Sequence, residues 1–172
     1  MLHKAESTMR RKREELKNSR RKEMIGFRKI DPEVAMEKNT WFHLGRNSCE
    51  EILYCLRRIA DPCEEHVDNN FVPLSKEQVK EYIPLRDTVL FLLRRTEKIL
   101  QTDSYDEVDE VRREAEELKD CLEKAREAQM QRMQSSKENI AVAYLYLNLL
   151  QETRELTSSL RHLLRASKGF RE

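Results

Sequence analysis

Three glycines and four prolines in 172 residues leave this chain few places to turn sharply. A fold of many short strands needs more such punctuation, and more β-branched and aromatic residues than a 6% aromatic content supplies. No stretch approaches the roughly 20 apolar residues that a membrane-spanning helix requires. Met1-Leu2-His3-Lys4 is not followed by an apolar core, so no signal peptide is read there. The four cysteines, Cys49, Cys55, Cys63 and Cys121, form no C-x-x-C pair and lack the density of a disulfide scaffold. They read as reduced thiols of a cytoplasmic protein. There is no P-loop and no G-x-S-x-G elbow, and three glycines cannot build a phosphate cradle. No nucleophile constellation emerges, and no enzyme activity is expected.

What the chain does have is charge and leucine. Charged residues make up 38% of it and apolar residues another 38%, the balance of long helices around one respectable core. The net charge of +1 conceals an asymmetry. Residues 10–22 carry eight basic side chains (Arg10, Arg11, Lys12, Arg13, Lys17, Arg20, Arg21 and Lys22) against Glu14 and Glu15, whereas Asp103 to Glu127 leans acidic. A basic beginning of this kind points to an anionic surface near the N-terminus.

Five helical segments are predicted. The first, from about Ala5 to Phe27, is polar nearly all round and has little to bury, so it is expected to project from the bundle or to pack on a second copy. Asp31-Pro32 reads as an N-cap and N1 pair opening a short turn to Lys38. A second helix is expected to begin between Asn39 and Asn47 and to end near Asn69-Asn70, striped by Cys49, Ile52 or Leu53, Leu56, Ile59 or Ala60, Cys63 and Val67 and kinked rather than stopped at Pro62. Ser75 and Gln78 read as a capping box opening a third helix, with Val79, Tyr82 or Ile83, Val89 or Leu90, Leu93 and Leu100 as its core and a bend at Pro84. Ser104 with Glu107, and Ser135 with Glu138, read as caps of a fourth and a fifth helix. Val108, Val111, Ala115, Leu118, Leu122 and Ala125 give the fourth a heptad seam. Leu145, Leu149, Leu156, Leu160 and Leu163 stripe the fifth, with Glu152 in the same row and Gly169 as its C′ residue.

The run YLYLNLLQETRELTSSLRHLLRA, Tyr144 to Ala166, resembles the last helix of a PhoU-like domain, of the kind that follows the membrane part of bacterial sodium/phosphate cotransporters. NTWFHLGRNSCEEILYCLRRIADPCEEHVDNNF, Asn39 to Phe71, resembles the opening helix of the same domain. The resemblance implies an all-α antiparallel bundle over residues 39–172, preceded by a basic juxtamembrane helix and linker over residues 1–38. It also implies a regulatory or interaction module at the cytoplasmic face of the bacterial inner membrane, modulating phosphate transport through helix-face contacts. Its partners would be the transport domain of the same polypeptide and the anionic membrane surface, with a homodimer as a further expectation.

PhoU-like proteins hold metal between a glutamate and an aspartate four residues apart on one helix face. Here the matching pairs read Arg57/Asp61 and Gln151/Glu155, each with one carboxylate replaced. The family's metal clusters are therefore not expected, nor is any other cofactor. Asp61, Cys63, His66 and Glu155 remain the candidate ligands, but a closed zinc site needs four ligands and no second Cys/His pair is evident. His43 and His162 read as packing and boundary residues. A free-standing metal-binding PhoU-type regulator is the alternative reading. Another is a helical adaptor using the basic helix on nucleic acid. Nucleic acid is not expected as a partner, because the basic helix lacks interleaved aromatics to stack bases.

Overall fold

The computed structural model describes residues 2–27, 31–135 and 138–172, and every regular element in them is an α-helix. The helices are α1 (Leu2–Phe27), α2 (Pro32–Asp68), α3 (Lys76–Thr102), α4 (Val108–Ser135) and α5 (Ile140–Arg171). The all-α antiparallel bundle expected from composition and periodicity is what forms.

α5 is the axis. It packs on α2, α3 and α4, while α3 also packs on α4, and among the described residues α1 packs on α2 alone. Burial on several sides explains why α5 tolerates so few outward charges. Tyr146, Leu149, Leu150, Leu156, Leu160, Leu163 and Leu164 are all buried, at 9% exposure or less. Leu156, Leu160 and Leu164 meet Leu118 and Leu122 of α4, Leu92 and Ile99 of α3 and Cys55 of α2 in one core. Leu149 is buried but lies outside that cluster. The heptad seam of α4 is buried as its spacing predicts, from Val108 through Leu122, with Ala125 packed against it.

Several elements depart from the sequence expectation. Residues 32–38, expected as a linker, are the first turns of α2. Asp31 accepts a hydrogen bond from the Glu33 amide at 3.0 Å, Pro32 sits at the helix start, and no residue from Glu33 to Leu44 breaks helix. In keeping with expectation, neither proline stops its helix: α2 continues past Pro62, and α3 past Pro84. α3 buries a face partly rotated from the one expected: Val89 is buried and Tyr82 and Leu93 pack against the core as expected, but Val79, Ile83, Leu90 and Leu100 are exposed, and Gln78, Leu92, Thr96 and Ile99 are buried instead. The error has a cause in the sequence, because α3 is apolar on both sides. Val67 is likewise exposed. α4 starts at Val108 rather than beside Ser104, after α3 has ended on Asp103 in the left-handed region at φ 56°. Asn139 caps α5 by accepting from the Val142 amide at 3.2 Å. The Ser135 side chain lies outside the described residues, and Glu138 has another role, described below.

Gly169 is not a C′ residue, because α5 continues through it. The Trp41 ring lies where its Cβ would be, with Cε2 at 2.6 Å from that point. Trp41 thereby closes the start of α2 onto the end of α5. One turn along the same contact, Gly45 lets α2 approach Ala166.

Candidate interaction surfaces

Three polar clusters join the helices, and each has partners that sequence reading alone did not connect. The largest closes one end of the bundle. Gln78 and Gln129 are fully buried, and both donate to Glu138, at 2.8 and 2.7 Å. Gln78 also completes the capping box with Ser75, its side-chain oxygen accepting from the Ser75 amide at 2.9 Å. Beside them, Arg132 makes a two-pronged bond to Glu81 at 2.7 and 2.9 Å, and the Tyr146 hydroxyl donates to the same carboxylate at 3.0 Å. The Arg132 guanidinium holds the Glu81 carboxyl below its ordinary range, and Tyr146 adds to the effect against the opposing pull of burial. Burial in turn pushes the Tyr146 phenol upward.

The second cluster lies between α2 and α5. Arg58 donates to the buried Glu152 at 2.7 Å and to Glu51 at 3.0 Å, and its guanidinium sits over the Tyr54 ring. Asn148 donates to the Arg58 carbonyl at 3.0 Å. Glu152 was the one visible signal: a carboxylate in a leucine stripe requires a cation on the facing helix. Nothing in the sequence named Arg58, which lies 94 residues away. Next to it, burial pushes the Cys55 thiol up to about 11. The third cluster is Arg95, which reaches Glu107 just before α4 and Glu110 and Glu114 on it, at 2.7 to 3.0 Å. Arg58 and Arg95 are thus engaged between helices, while their chain neighbours Arg57 and Arg94 are exposed.

The candidate metal residues are not brought together. Arg57 donates to Asp61 at 2.8 Å and Gln151 donates to Glu155 at 2.8 Å, so each altered carboxylate pair closes on itself along the exposed side of its own helix. His66 Nε2 is 2.7 Å from the Val72 carbonyl and the ring stands edge-on to Phe71, tying the α2–α3 connector back to α2. Cys63 is half-buried, and burial raises its thiol. Among the described residues, no three His, Cys, Asp or Glu side chains gather at one point. His43 and His162 are exposed, although the His43 ring touches Phe42 edge-on.

The basic helix does not project: α1 lies antiparallel along α2. Arg46 of α2, only 7% exposed at its side chain, donates to the Leu16 carbonyl at 2.5 Å and to Glu50 at 3.1 Å. Between α1 and α2 runs a cleft of 1040 Å³, flanked by Arg10, Arg13 and Lys17 on one wall and Glu50, Glu51 and Arg57 on the other. The described basic side chains are therefore divided between the cleft and the outward side of α1. Arg10, Arg13 and Lys17 line the cleft, whereas Arg11 and Lys12 do not and stand exposed with Glu15 beside them. Lys22 is exposed as well, and the side chains of Arg20 and Arg21 lie outside the described residues. Among the described residues, no helix is long and apolar enough to cross a membrane. Comparison with protein-family models, with curated proteins and with solved structures finds no match to this chain.

Proposed function

We propose that this chain is a regulatory interaction module of the PhoU-like kind, working at the cytoplasmic face of the membrane beside a sodium/phosphate transport domain. It acts through helix-face contacts and performs no chemistry of its own. The observation that carries the reading is the division of labour among its charges. Arg58, Arg95 and Arg132 join helices inside the bundle, while α1 displays basic side chains outward from a helix that, among the described residues, packs on α2 alone. A helix so placed suits a planar anionic surface, where each outward Lys or Arg contributes about 1 kcal/mol. The resemblance of Tyr144–Ala166 and Asn39–Phe71 supplies the family, and α5 with α2 forms the most extensive helix pair of the fold.

Vesicle co-sedimentation tests the membrane part. The whole chain should sediment with vesicles containing phosphatidylserine and not with phosphatidylcholine alone. That binding should fade as added salt shortens the screening length from about 10 Å at 0.1 M. The double variant Arg11→Glu/Lys12→Glu should lose most of it. Binding that ignores salt, or that the variant retains in full, would rule the surface out. The transporter part is tested by reading the locus: an open frame with paired hydrophobic spans ahead of the Met1 codon is expected, and a stop codon directly upstream would overturn it.

A further inference from the structure

α3 and α4 are both outer helices, yet their solvent sides differ. From Asp109 to Glu127, every exposed position of α4 is charged except Cys121. α3 instead exposes Val79, Ile83, Leu90 and Phe91, each by 39% to 52%. Val79, Ile83 and Leu90 share one line of the helix, opposite the buried Leu92 and Ile99. Neither α1 nor α2 packs on α3. Solvent-facing apolar rows of this kind mark contact surfaces.

We propose that this face binds a second copy of the chain, α3 against α3 and antiparallel, with a two-fold axis between Leu90 and Phe91. The charges decide the occupant. Asp87 lies three residues before Leu90, and Arg94 lies three residues after Phe91, both on the same exposed face. A two-fold axis at the centre exchanges these positions. Each Asp87 then faces the partner's Arg94, and the apolar centre is flanked by two identical ion pairs. Ile83 meets the aliphatic stem of the partner's Lys98 in the same register. A parallel pairing would set Asp87 against Asp87 and Arg94 against Arg94. A row that reads with opposite sign from either end is what an isologous contact requires, and contact with an unrelated protein places no such demand. Within one chain these charges are little used. Asp87 bonds the adjacent Arg86, and Arg94 meets no carboxylate among the described residues.

Sedimentation equilibrium of the whole chain, with helix content followed by circular dichroism, tests this. The wild type should dimerise. Asp87→Arg and Arg94→Asp should each raise the dissociation constant on the order of tenfold or more, because each sets like charges together twice per dimer. The double variant Asp87→Arg/Arg94→Asp should dimerise as the wild type does. An equal mixture of the two single variants should form heterodimers, since one then carries two cations where the other carries two anions. A wild type still monomeric at about 100 μM, or a dimer that the single reversals leave intact, overturns the proposal. So does a mixture that stays monomeric.

Discussion

Gly45 and Gly169 stand on opposite sides of one helix contact, and the same substitution should have opposite effects at the two. A Cβ on Gly45 would meet Ala166 Cβ at 3.5 Å and Leu163 Cδ1 at 4.0 Å, ordinary contact in a helix interior. Gly45→Ala should therefore stabilise by up to about 1 kcal/mol, the difference in helix propensity. A Cβ on Gly169 would lie within 2.6–3.0 Å of three atoms of the Trp41 ring, which must move away. Gly169→Ala should cost about 1–3 kcal/mol as an overpacked contact. Urea unfolding of the two variants checks both signs, and a stabilised Gly169→Ala would show that Trp41 does not lie on the helix. At this scale the sequence is a weak guide. A glycine near a helix end reads most simply as a cap, and only the position of Trp41, 128 residues earlier, gives it a different role.

At the scale of the element, α1 and α5 are the extremes. Met9, Leu16 and Ser19 are the half-buried residues of α1 among those whose side chains are described, and none is fully buried. α5 buries fourteen residues. Opening free energies follow buried contact, so the amides of α1 should exchange with solvent well before those of α5. Hydrogen exchange followed by mass spectrometry should show α1 deuterated first, with residues 146–164 protected longest. Equal protection of the two helices would mean that the α1–α2 contact is firmer than its cleft implies. The low apolar content of α1 was legible from its composition, and so was its independence from the core. Its position along α2 was not, because the contact rests on Arg46 reaching a main-chain carbonyl, and main-chain acceptors leave no mark on a sequence.

For the whole molecule, stability against acid rests on carboxylates that bridge helices. Glu81 joins α3 to Arg132 of α4 and Tyr146 of α5, and the bond from Arg132 favours its ionised form, holding the carboxyl below its ordinary range in the fold. Its contribution is fully present above the unfolded carboxylate value of about 4.3 and is lost as pH falls through the lower folded value. The urea midpoint should therefore drop as pH is lowered from about 5 to about 3, and Glu81→Gln should flatten that slope while lowering the midpoint at neutral pH. An acid limb unchanged by Glu81→Gln would place the sensitive carboxylate elsewhere. Glu110, held below its ordinary range by Arg95, is the next to test.

By itself the sequence determined the helical class, the five-helix order, the seam of α4 and the leucine stripe of α5, since each follows from spacing along a single helix. It also determined the Ser75/Gln78 capping box, which is closed within four residues. What only the tertiary structure decided depends on separations that periodicity cannot express. α3 carries apolar residues on both sides, so its own pattern could not say which side meets α4 and α5. Glu152 required a cation, but only the antiparallel pairing of α2 and α5 brings Arg58 to it. The basic helix was evident as a run of charge, and its division into a cleft wall and an outward face came from where α2 lies. Local rules fix what a helix is, and burial against other helices fixes which of its faces are left to meet a partner.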